Sequence, residues 1–160
     1  MYCYDKQTNS LTTKAVRGSN INSFTVPINK GIIGHVFSSQ EGVLLDSAYE
    51  DWRFDKSLDQ KRRSATHNMI CVPMKIGDTC LGSLEVANKK GGNYNKYEYK
   101  LVASIANELA IGLNTHSIAS LPKEKRREDE GVSQLANDNL LSPLLRNILK
   151  ILSEILKCEK

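Results

Sequence analysis

The chain has 160 residues, a formal charge of +4, and 40% hydrophobic against 25% charged residues, the proportions of an ordinary globular chain with one core in a single domain. That charge is too small to demand nucleic acid, no apolar run is long enough to cross a bilayer, and no signal peptide is visible. Four cysteines without a C-x-x-C pair (Cys3, Cys71, Cys80, Cys158) and three scattered histidines (His35, His67, His116) exclude a disulfide framework and a clustered metal site, and point to the reducing cytoplasm.

Met1 to Asp5 reads as a strand, Lys6 to Ser10 as a polar turn, and Leu11 to Val16 as a returning strand. Phe24 to Ile28 gives a third strand, whose Pro27 marks an edge or an end. From Asn29 to Ser38 the pairs Ile32/Val36 and Ile33/Phe37 stand at i,i+4, which predicts a short helix capped by Asn29 and ended by Glu41-Gly42. Val43 to Leu45 is a buried strand. Between Asp46 and Asn68 charges and two aromatics, Trp52 and Phe54, follow no period, so this stretch is expected to form an irregular lid.

Ile70 to Ile76 and Thr79 to Ala87 form the arms of a β-hairpin about a Gly77-Asp78 turn. A regular hairpin pairs Lys75 with Cys80 and Leu84 with Cys71. Period two puts Cys80, Gly82, Leu84 and Val86 on one face and Leu81, Ser83, Glu85 and Ala87 on the other. A carboxylate in mid-strand is the first hint of a pocket. Tyr97 to His116 then carries an apolar stripe of Leu101, Val102, Ile105, Leu109 and Leu113, as a helix covering a sheet would. A charged linker with the run K-E-K-R-R-E-D-E-G follows, and beyond it Leu141, Leu145, Ile148, Leu152 and Ile155 repeat like two heptads of an amphipathic helix.

The segments V-P-I-N-K-G-I-I-G-H-V, L-L-D-S-A-Y-E-D-W-R-F-D, I-C-V-P-M-K and E-V-A-N-K-K-G-G, taken together, make residues 2 to 113 similar to the GAF domains of cyclic-nucleotide phosphodiesterases and adenylyl cyclases. The resemblance implies an α+β fold, a six-stranded antiparallel sheet with helices on both faces, here followed by a C-terminal amphipathic helix. It divides the chain into a domain over 1–117 that lacks the family's N-terminal helix, a linker over 118–139, and a helical segment over 140–160. It implies a non-catalytic regulatory module that senses a small ligand, cyclic AMP or cyclic GMP, under a lid, with no metal and no fixed cofactor. The rival reading is a ligand-free scaffold for homodimerisation through its helices and signal relay. A remote one is a cysteine-based methionine sulfoxide reductase.

The same resemblance assigns residues to roles. The backbone at Ile32 and Ile33 would hold the phosphate, as helix N-termini do, and Glu85 would read the purine edge. Asp59 and Thr66 match lid residues near the ligand, and Arg62 stands where relatives have a threonine. Asp55 replaces an aromatic that would cover the base. Asn88, Lys89, Tyr94 and Glu98 match a structural brace in which lysine pairs with acid.

Overall fold

Runs rich in β-branched and aliphatic residues, each only three to nine long, favour strands over helices here. The computed structural model describes residues 1–16, 25–62 and 64–119, with positions 147, 148, 150, 151 and 154. Strands β1 (Tyr2–Asp5), β2 (Ser10–Thr13), β3 (Thr25–Pro27), β4 (Val43–Leu45), β5 (Met69–Ile76) and β6 (Thr79–Ala87) form one antiparallel sheet ordered β3-β2-β1-β6-β5-β4. Helix α3 (Lys96–Ala119) covers one face, and α1 (Gly31–Ser39) with α2 (Lys56–Arg62) covers the other.

Alternation along β5 divides the core. Ile70, Val72 and Met74 join Val102, Ala106, Leu109 and Ala110 of α3, while Met69 and Cys71 join Ile32, Ile33, Val36 and Leu58. Burying each large apolar side chain contributes roughly 1.5–3 kcal/mol. On α3 the alanines lie flat on the sheet, and Leu101, expected in the buried stripe, is 37% exposed. Ala106 and Ala110, both fully buried, lie with Val102 and Leu109 on the side of α3 that meets the sheet.

The hairpin departs from regular pairing. Lys75 pairs with Cys80 but Met74 with Gly82, so Leu81 is the extra residue of a β-bulge. Cys71 therefore faces Glu85 rather than Leu84. The bulge also sends Leu81 to the α3 side with Leu84 and Val86, where strict alternation would put it beside Glu85. Gly82 must be glycine for packing: a Cβ there would fall on the Tyr2 carbonyl oxygen and lie 3.0 Å from Cys3 Cα.

Other boundaries shift for local reasons. Lys30, not Asn29, stands at the head of α1, without a side-chain cap. The Lys30 N–H bonds the Pro27 carbonyl, and Gly31 takes φ +68° to start the helix. Gln40, at φ +58°, closes it by donating to the Val36 carbonyl, ahead of the expected Glu41-Gly42. The stretch 46–68 is not wholly irregular, because a 3-10 turn at Ala48–Glu50 precedes α2. These pieces are too short to show a period. The linker from 120 onward and most of 140–160 lie outside the described residues, although Asn147, Ile148, Lys150, Ile151 and Glu154 are helical and Ile148 packs on the α3-side cluster.

Candidate ligand site

Below the bulge, Ser83, Glu85 and Ala87 point toward α1 and α2. The buried Ser83 hydroxyl donates to the Ile33 carbonyl at 3.1 Å, which fixes α1 on the sheet. Gly34 rests against the Pro27–Ile28 backbone, where a Cβ would come within 2.7 Å of the Ile28 carbonyl oxygen. The first turn of α1 is thereby held over β6. Ile32, Ile33, Asp59 and Glu85 meet around one cavity, together with Phe54, Asp55, Leu58 and Met69.

That cavity measures only about 10 Å3, room for one water at most. Phe54 and Leu58, packed on the α1-side cluster, line it together with Glu85. Asp55 starts α2, accepting the Ser57 N–H at 3.0 Å through Oδ1, while its Oδ2 is sealed from water 3.3 Å from the Lys30 ammonium. Burial raises its carboxyl, but the Ser57 hydrogen bonds and Lys30 outweigh that and hold it below the ordinary 3.8. A Cβ on Gly31 would touch Asp55 Cβ at 3.3 Å and Leu58 Cδ1 at 3.6 Å. The lid thus lies directly on the start of α1.

Asp59 and Thr66 meet each other. The Asp59 carboxylate, 5% exposed, accepts the Thr66 hydroxyl at 2.7 Å and its N–H at 2.6 Å, and the Tyr49 hydroxyl at 3.0 Å. The bond to Asp59 holds the Tyr49 phenol above its ordinary 10.0, with burial and the nearby charge adding to it. The Tyr49 ring also packs at a tilt of 43° against Phe54, their centroids 5.1 Å apart. The side chain of Arg62 lies outside the described residues.

On the far side of this lid Lys89, Tyr94 and Glu98 come together, while Asn88 turns to the lid's end. Asn88, in left-handed backbone at φ +59°, accepts the His67 N–H and donates to the Ala65 carbonyl. It pins the strand leading out of the lid. Asn95 caps α3 by accepting the N–H groups of Tyr97 and Glu98, and Glu98 returns a bond to the Asn95 N–H, which is a capping box. The same carboxylate holds Lys89 at 2.8 and 2.9 Å, and the lysine lies 5.9 Å from the centroid of the buried Tyr94 ring. Burial raises Glu98, but the Lys89 and Asn95 hydrogen bonds outweigh it and hold it below its ordinary 4.5.

Three residues that sequence reasoning left without a role complete the frame: Tyr49 and Ser83, with the contacts above, and Asn68. Buried Asn68 accepts the Lys89 N–H and donates to the Gly92 carbonyl. Asn68 and Ser83 had a signal in the sequence, a small polar residue within or beside an apolar strand run. Tyr49 had none. A larger groove of about 590 Å3 lies between Leu44–Asp51 and Tyr94–Lys96. It is open to solvent and none of Ile32, Ile33, Asp59 or Glu85 reaches it, so the closed cavity is the better candidate. No cluster that could hold a metal ion is found among the described residues, nor any helix long and apolar enough to cross a membrane.

Comparison with known proteins agrees with this architecture. Residues 4–113 match the sequence model of the GAF domain. The chain is 30% identical over 103 residues to the probable 3',5'-cyclic phosphodiesterase pde-5 of Caenorhabditis elegans, covering 64% of this chain and 14% of that protein. It therefore spans a small part of that relative's length. In structure it is similar to the GAF domain of a phosphoenolpyruvate-protein phosphotransferase (ptsP) from Coxiella burnetii, with TM-score 0.66 and 17% identity over 72% of this chain and 70% of that one. The free methionine-R-sulfoxide reductase of Neisseria meningitidis shares the fold at TM-score 0.59 and 15% identity, over 72% and 67% of the two chains.

Proposed function

Since the chain belongs to the GAF domain family, we propose that it is a non-catalytic regulatory module of a phosphodiesterase-type cytoplasmic signalling protein, sensing a small ligand between α1, α2 and β6. The observation that carries this is the convergence of Ile32, Ile33, Asp59 and Glu85, drawn from three separate elements, on one cavity beneath a short lid. Cyclic AMP and cyclic GMP are the candidate ligands. The first-turn amides of α1 suit their phosphate, and Glu85 suits a purine N–H. With about 10 Å3 available against the several hundred that small-molecule sites occupy, such a ligand enters only after Phe54 and Leu58 move out.

The small volume favours a second reading, a scaffold that works without ligand. Thermal melting separates the two. A ligand at about 100 times its Kd stabilises the folded state by about 2.7 kcal/mol. A rise in Tm with millimolar cyclic AMP or cyclic GMP supports sensing, and an unmoved Tm leaves the scaffold.

Among the described residues, reductase chemistry lacks a suitable thiolate. Burial pushes the Cys3 and Cys80 thiols above the ordinary 9.0, and Cys71 is fully buried, whereas a reactive cysteine needs an exposed thiol of lowered pKa. A dithiol-coupled assay with free methionine sulfoxide should show no turnover.

A further inference from the structure

Helix α2, at the centre of the lid, is seated by two buried side chains and by Asp55 at its head. Of the described side chains of α2, only Leu58 and Asp59 are buried, and Lys56, Gln60 and Lys61 are exposed. The walls beneath it are fixed independently, α1 by the Ser83 hydroxyl and β6 by its pairing with β5. Asp59 takes three hydrogen bonds from Tyr49 and Thr66, so the two lid residues assigned to a ligand are occupied with each other. At the start of the lid, the Asp55 carboxylate brings a negative charge beside the first turn of α1, the place an anion would take.

We propose that α2 is a built-in plug that leaves the cleft as a unit, with Asp59 as its latch. This deepens the sensing reading and rests on it for the ligand. In the resting chain Leu58 and Phe54 stand in for the ligand's bulk, and Asp55 for its charge. A ligand competes with the chain's own side chains, so its apparent affinity is reduced by the fraction of molecules with the latch open.

Hydrogen exchange on the ligand-free 160-residue chain tests the latch without any nucleotide. Asp59→Asn keeps the side chain's shape and removes its charge, weakening bonds that depend on that charge. Exchange over 56–66 should rise about tenfold while the β5 and β6 segments stay unchanged. Unchanged exchange over 56–66, or an equal rise across β5 and β6, overturns the proposal. Should Asp59→Asn fail to fold, Tyr49→Phe removes one donor at a half-exposed position. It should raise exchange over 56–66 by roughly two- to threefold, and no rise overturns the latch. Where cyclic GMP binds, Tyr49→Phe, which changes no residue lining the cavity, should increase its affinity by the same factor as lid exchange, and equal binding by the variant and the unmodified chain overturns the latch. A loosened lid with no nucleotide bound removes the ligand reading and leaves the latch standing.

Discussion

Glu98 joins two functions in one side chain. It closes the capping box at the head of α3 and neutralises Lys89 on the segment leaving β6. Its folded pKa is depressed, as are those of Asp51 beside Arg53 and Asp55 beside Lys30. The sign follows from proton binding: the unfolded chain takes up protons first as pH falls. These groups therefore contribute stability that is fully present above their ordinary values of 4.5 and 3.8 and lost as pH drops through the folded values. Urea midpoints should be level at neutral pH and decline below about pH 4.5. Glu98→Gln should lower the neutral plateau by about 1 kcal/mol and make the acid limb shallower. An acid limb of unchanged slope would show that Glu98 titrates alike in the folded and unfolded chains.

At the scale of elements, the bulged hairpin governs the candidate site. Leu81 is the residue that breaks alternation, and β1 lies so close to Gly82 that no side chain fits there. Gly82→Ala should force β1 away from β6 and cost about 1–3 kcal/mol, as overpacking does, measured by urea denaturation. The change should also loosen the Ser83 bond to α1, because Ser83 pairs with Tyr2 across the same strands. By contrast, α2 is a marginal helix of seven residues whose position depends on side chains rather than on backbone pairing. That difference separates the rigid floor of the cleft from its removable cover.

Across the whole molecule, the sheet's two faces are covered unequally. The outer side of α3 leaves Tyr97 84% and Ile111 52% exposed, two heptads apart and so on one face of the helix, with the partly exposed Leu101 one turn beyond Tyr97. This apolar face suits the homodimer through helices that the scaffold reading expects. Sedimentation should give a dimer for the chain and a monomer for the double variant Tyr97→Glu, Ile111→Glu; a monomer for the unmodified chain at high concentration removes the homodimer. Substitution on the outer face should leave the fold intact, since neither side chain enters the core.

The sequence by itself determined the strands and the long helix, because periods of two and near 3.6 report which side of an element meets apolar neighbours. It also determined the fold family, through segments spread along most of the domain, and that resemblance in turn singled out Asn88, Lys89 and Glu98, of which Lys89 and Glu98 form an ion pair. Only the tertiary structure decided that Asp59 and Thr66 bond to each other and that Leu81 leaves the face of Glu85. It alone showed that Phe54 and Leu58 close the cleft. Those outcomes depend on contacts between residues distant along the chain and on the volume left between packed elements, and neither quantity is carried by the pattern of any single segment.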